Sequence, residues 1–184
     1  RGVLPKKADK DPTWRHEAIY TRGEIEQLLS DDRIPVDRRM LYGLKFFTGR
    51  HTEMATLTWS QYDTVPVPLG AISLGVTKSG VPRQIPVHPT LAKMLAVWKL
   101  SGWEDLYGHA PRPADLVVPT RNLRRRRADE AQKQLLRDLE RIGLRVTAGE
   151  TRNRRGHDLR RTMITLARAD GAIDGMLRLI THGP

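Results

Sequence analysis

The seven residues 156–162, GHDLRRT, put a histidine three residues before one arginine and four before another, at the head of a run that reads as a helix. Positions three and four apart share a helix face. His157, Arg160 and Arg161 can therefore address one point near the helix entrance, where free backbone amides and the positive end of the helix dipole add to the charge. An arginine offers a planar fork to two phosphate oxygens, and a histidine can donate to a third or move a proton near neutral pH. A solvated basic helix would carry the same residues, so the rest of the chain has to decide between a phosphate site and a surface face.

Bulk composition narrows the choice. The 184 residues suit one domain, and 39% hydrophobic residues supply a core without staples. Cysteine is absent, which rules out disulfides and thiolate metal sites and suits a reducing interior. No signal peptide and no apolar run of the ~18 residues needed to cross a membrane can be read. Lys and Arg number 32 against 21 Asp and Glu, a net charge of +11 that favours a polyanionic partner, nucleic acid first. Five arginines (Arg121, Arg124, Arg125, Arg126 and Arg127) crowd RNLRRRR. Between Arg145 and Arg161 lie more, Arg154 and Arg155 among them, opposed only by Glu150 and Asp158.

Residues 1–20 are polar, carry two prolines and no sustained period, and read as an interdomain linker. Thr21 and Glu24 form a capping box that opens a first helix, and Pro35 opens a second, with Met40, Leu41, Leu44 and Phe47 as its stripe and a left-handed stop expected at Gly49. Residues 52–59, TEMATLTW, read as a third helix with Met54, Leu57 and Trp59 inward. AISLGV and VPRQIPV read as a hairpin with Lys78 at the tip. Helices are expected over 90–100, 128–142 and 158–169, the last two stopping at Gly143 and Gly171, and a last short helix holds Met176, Leu177 and Ile180.

Two further segments carry chemistry. Arg50 follows the glycine stop with Glu53 three residues on, and Glu53 is expected to aim the Arg50 guanidinium through an ion pair while the fork binds phosphate. Lys78 is a flexible ammonium able to reach a reacting oxygen as an acid. On its own the first could equally be a surface Arg–Glu pair, and a lysine at a turn usually does no more than keep the turn soluble.

Taken in order, TGRHTE, TKSG before RQIPVHP, HDLRRT and THG resemble the catalytic domain of the tyrosine recombinases, the phage integrase family, over about residues 21–184. That resemblance implies a mainly α fold with a small antiparallel β-sheet (α+β). It implies strand cleavage and rejoining at a DNA phosphodiester through a 3′-phosphotyrosyl intermediate, with catalytic Arg50, Lys78, His157, Arg160 and His182 and with Glu53 in support. Arg50, Arg160 and His182 would neutralise the phosphoryl oxygens, His157 would position groups or shuttle protons, and Lys78 would protonate the departing 5′ oxygen. No metal and no cofactor are implied. The partner is double-stranded DNA, met by Arg121, Arg124, Arg125, Arg126, Arg127, Arg154, Arg155 and Arg161, with self-association into a tetramer on DNA and a cytoplasmic, bacterial-host setting.

The sequence departs from the family pattern twice. Gly49 and Arg50 are adjacent where one residue usually intervenes, and the tyrosine expected about nine residues beyond His182 falls past Pro184. Tyr20, Tyr42, Tyr62 and Tyr107 lie in no matching motif and are expected to be packing or surface residues. Residues 21–184 thus read as a catalytic domain lacking its tyrosine segment and inactive in this form. A type IB topoisomerase and a DNA-binding module without chemistry remain open at this stage.

Overall fold

The capping box at the domain entrance forms. Thr21 Oγ1 accepts from the Glu24 amide at 3.2 Å and the Glu24 carboxylate accepts from the Thr21 amide at 2.7 Å, closing the start of α1 (Arg22–Ser30). The computed structural model describes residues 18–65, 69–75, 82–144 and 154–181. Across them the order is α1, α2 (Val36–Phe47), α3 (His51–Met54), β1 (Tyr62–Asp63), β2 (Ala71–Leu74), β3 (Arg83–Pro86), α4 (Pro89–Val97), α5 (Trp103–Tyr107), α6 (Ala128–Arg141), α7 (Gly156–Ala169) and α8 (Asp174–Thr181). The fold is mainly α with one small antiparallel sheet, as expected.

Helix α2 is the axis of the packing and touches α1, α4 and α7. Its centre is apolar on nearly every side, with Met40, Leu41, Tyr42 and Leu44 all buried, as a helix surrounded by neighbours requires. Leu28, Leu91, Leu95, Leu135, Leu139 and Leu159 complete the core from the flanking helices. At one end, the Trp103 ring meets Trp98 and Trp59 edge-on, at centroid distances of 5.9 and 6.1 Å, and Trp98 Nε1 donates to the Val117 carbonyl at 2.7 Å. Gly143 (φ 78°) and Gly171 (φ 86°) take the left-handed conformation just past α6 and α7, the stops expected of them.

Four local expectations are corrected. Residues 52–59 do not continue as a helix: α3 is a single turn, and a 3-10 turn follows at Trp59–Gln61. The backbone there is claimed from outside, since Val117 donates to the Leu57 carbonyl at 2.8 Å and Trp59 donates to the Asp115 carbonyl at 3.1 Å. Met54, Leu57 and Trp59 are nonetheless buried. Gly49 is not in the left-handed region, and α2 instead closes at Thr48 (φ −126°). Space is tight at the glycine instead, since a Cβ there would lie 2.6 Å from Glu53 Oε2 and would push that carboxylate from the Arg50 amide.

The expected hairpin is β2 and β3, paired with Ile72 opposite Ile85, but a third strand, β1, adds to it with Tyr62 opposite Ile72. Its tip, including Lys78, lies outside the described residues. Finally, the helix expected over 90–100 runs on from α4 through a π-helical turn at Trp98–Gly102 into α5, because burying both Trp98 and Trp103 carries the chain past Leu100.

Candidate functional site: a pocket of arginines at the head of α7

The head of α7 is fixed from both sides. Asp158, 1% exposed, accepts from the Arg155 amide at 2.6 Å, which caps the helix, and from Arg161 Nη1 at 3.4 Å. The Gly156 amide donates to Gln132 Oε1 on α6 at 2.9 Å. Within the helix, Thr162 donates to the Asp158 carbonyl at 2.8 Å and accepts from the Tyr20 amide at 3.0 Å, tying the domain entrance to this turn. His157 and Arg160 are thereby held one turn apart on a rigid element, as a phosphate-binding constellation needs.

Arg160 is 4% exposed. Its Nη2 donates to the Thr181 carbonyl at the end of α8, while its Nη1 has no hydrogen-bond partner among the described residues. Burial, then the neighbouring Arg83 and Arg50 cations, push its pKa down to about 10 against the pull of Glu53. His157 is solvent-accessible. Partial desolvation of its ring, then Arg161 and Arg160, hold its pKa below the ordinary value, with Asp158 opposing and Arg50 adding to the depression. Arg50 thus acts electrostatically on both His157 and Arg160. The three residues singled out in two distant motifs share one field of unbalanced positive charge, which an anion would relieve.

Arg50 caps α3 with extended backbone (φ −77°, ψ 148°). Glu53 does steady it, though not as the spacing implied. Glu53 Oε2 accepts from the Arg50 backbone amide at 2.9 Å and gives its ion pair to Arg83 Nη2 at 2.6 Å. The Arg50 guanidinium has no ion pair among the described residues. This is a correction with a geometric cause: at N3 of α3 the carboxylate folds back onto the helix entrance, and β3 brings Arg83 to it from the other side.

The flanking arginines divide. Arg121, Arg124 and Arg125 are exposed, and so are Arg155 and Arg127, the latter in an exposed pair with Asp129 at 3.1 Å. Arg126, expected among the DNA contacts, is corrected: it is 5% exposed, ion-paired with Asp37, and donates to the Val118 carbonyl at 3.0 Å. Its Nη1 donates to Gln134 Oε1 at 3.2 Å. Arg154 is also engaged internally, with Glu24 at 2.6 Å and over the Tyr20 ring at 4.4 Å, and Arg161 holds Asp158. His182 lies outside the described residues, one position beyond Thr181.

Sequence reasoning passed over three residues here. Arg83 has just been met. Lys45 on α2 is 4% exposed and so close to Gly156 that a Cβ on that glycine would collide with its Nζ. Burial pushes its pKa down to about 8. His51 Nε2 lies 3.2 Å from the Arg126 carbonyl, and Nδ1 has no partner among the described residues. One signal was available: strand alternation puts Arg83 on the same buried face as Ile85, an unusual address for an arginine.

The four tyrosines are packing residues. Tyr42 donates to Asp138 at 2.7 Å and Tyr107 donates to the Pro119 carbonyl at 3.0 Å. Tyr20 is 1% exposed and Tyr62 half-buried, and burial raises the pKa of all four phenols. No described helix is long and apolar enough to cross a membrane.

This is the fold of the tyrosine recombinase catalytic domains. Among solved structures, XerA recombinase matches at a TM-score of 0.69 and 16% identity, over 89% of this chain and 55% of its own. The Tn1549 transposon integrase, in complex with transposon right end DNA, matches at 0.67 and 18%, over 90% of this chain and 58% of its own. The lambda integrase catalytic core matches at 0.63 and 15%, over 89% of this chain and 91% of its own. The chain spans about half the length of the first two. No protein-family model and no curated protein sequence matches it.

Proposed function

We propose that this chain is the catalytic domain of a site-specific DNA recombinase that cleaves and rejoins strands through a 3′-phosphotyrosyl intermediate. The observation that supports the reading is the buried guanidinium nitrogen of Arg160 left unpartnered among the described residues, with Arg50 adding positive charge at both Arg160 and His157. Arg50 and Arg160 would each present a fork to the non-bridging oxygens, joined by His182, as negative charge gathers in the transition state. A neutral His157 would accept or relay the proton of the attacking phenol. Lys78 would protonate the 5′ oxygen as its bond to phosphorus breaks. The ester to tyrosine conserves the bond, so a 5′-hydroxyl reverses the step without ATP, metal or cofactor.

Double-stranded DNA is the proposed partner, supported by the net charge of +11 and by exposed Arg121, Arg124, Arg125, Arg127 and Arg155. Self-association on DNA and a DNA-associated, cytoplasmic location in a bacterial host belong to the same proposal. The nucleophile is proposed to lie beyond Pro184.

The test uses the full-length, tyrosine-bearing protein and a pool of nicked duplexes of randomised sequence, from which covalent adducts are trapped as the nicked strand diffuses away. Adducts resistant to detergent are expected on a tyrosine in the presence of a chelator. Arg50→Ala and Arg160→Ala should each lower the rate of adduct formation by ~10²-fold or more while duplex affinity falls far less. Cleavage that needs added magnesium, or variants that lose only affinity, would sink the proposal.

A further inference from the structure

Arg83 opens the RQIPVHP segment but is given no role by the resemblance, yet its guanidinium reaches partners of both Arg50 and Arg160. It lies on the buried face of β3, 8% exposed, and its guanidinium is divided between two segments far apart in sequence. Nη2 donates to Glu53 Oε2 at 2.6 Å, and that same oxygen holds the Arg50 amide at 2.9 Å. Nη1 donates to the carbonyls of Thr181 at 2.6 Å and Ile180 at 3.1 Å. The Thr181 carbonyl also receives Arg160 Nη2. One planar group is thus a single partner removed from Arg50, from Arg160 and from the main chain entering His182. Gly49 closes down on the arrangement, since a Cβ there would lie 3.1 Å from Arg83 Nη2.

We propose that Arg83 is a positioning residue of the phosphate site, a strut that sets the spacing between the Arg50 arm and the end of α8 and so brings Arg50 and Arg160 to bear on one phosphate. The inference rests on the recombinase reading above. A fork bonded along two edges fixes both partners in its plane, whereas a lysine in its place supplies a point charge without that geometry. Without the fork, the Glu53 carboxylate is left beside Arg50 with its counterion gone, free to pair with the Arg50 guanidinium and draw it off the substrate. Misplaced forks weaken the transition state more than the bound ground state.

The experiment is single-turnover adduct formation by the full-length protein at saturating nicked duplex, set beside duplex Kd. Arg83→Lys is expected to slow adduct formation ~30-fold with Kd within about threefold of wild type, and adding Glu53→Gln to it should cost little more because both act through one element. Hydrogen exchange on the 184-residue chain supplies a readout independent of chemistry: Arg83→Lys should raise uptake in 49–55 and in 174–181 together. Three outcomes overturn the inference alone: an unchanged adduct rate, a rate and a duplex affinity that fall in proportion and recover on cooling, or exchange altered in one segment only. A wild-type protein that forms no adduct overturns the reading of the pocket, and the inference falls with it.

Discussion

Lys45 costs the fold stability at neutral pH, and the cost can be worked out. Its ammonium is 4% exposed, has no counterion among the described residues, and abuts Gly156 at the N-terminus of α7, where the helix dipole is also positive. Burial lowers its pKa from the ordinary 10.5 to about 8, and at about 1.4 kcal/mol per unit the native state gives up about 3 kcal/mol whenever the lysine is protonated. Above pH 10.5 both folded and unfolded chains hold a neutral amine and the cost vanishes. As pH falls from 10.5 through 8 the unfolded chain binds the proton first, so stability drops across that window and stays reduced below it. Lys45→Met keeps the length of the stem and removes the charge. Urea unfolding should show it more stable than wild type by about 2–3 kcal/mol at pH 7, with the two curves converging near pH 10.5. A difference that stays flat from pH 7 to pH 11, or a variant less stable at pH 7, would refute the reasoning.

Two further outcomes can be checked. Arg126→Met strands the buried Asp37 carboxylate and should cost about 3–5 kcal/mol in urea unfolding, while the salt dependence of duplex binding stays as it was because Arg126 reaches no phosphate. A loss under about 1 kcal/mol would show that Asp37 finds water or another cation. For His157, whose folded pKa is depressed, the neutral imidazole supports stability above the unfolded value of about 6.5, and that support is lost as pH falls through the folded pKa. NMR titration of the free chain should place its midpoint below about 6.5, with added duplex moving it upward; a free-chain midpoint above 6.5 contradicts the cationic surroundings described.

Much of the fold could be read locally. Capping at Thr21, apolar spacing along α2 and α6, and glycines at 143 and 171 are decided within a few residues, so pattern and structure agree. Failures arose where a distant segment competes for the backbone, as residues 115–117 do beyond α3, or where volume decides instead of φ, as at Gly49. The pocket divides likewise. His157 and Arg160 announce themselves by helical spacing, and Arg50 and Glu53 by their interval. That Glu53 serves Arg83 depends on β3 crossing near α3, which nothing within either segment encodes. Nor can a run of five arginines reveal that its fourth member turns inward, since that depends on Asp37 waiting 89 positions away.

The meeting of Arg83 and Arg160 at Thr181 involves an oxygen that every amino acid possesses. Replacing Thr181 with alanine would leave that acceptor untouched, and side-chain scanning across α8 would pass over one of the pocket's anchoring points in silence. Only altered backbone chemistry, such as an ester in place of the peptide bond following Thr181, would weaken the oxygen itself. The buried threonine side chain has its own partner, the Leu177 carbonyl at 2.5 Å, so the anchoring of the two arginines rests on the main chain and not on the hydroxyl.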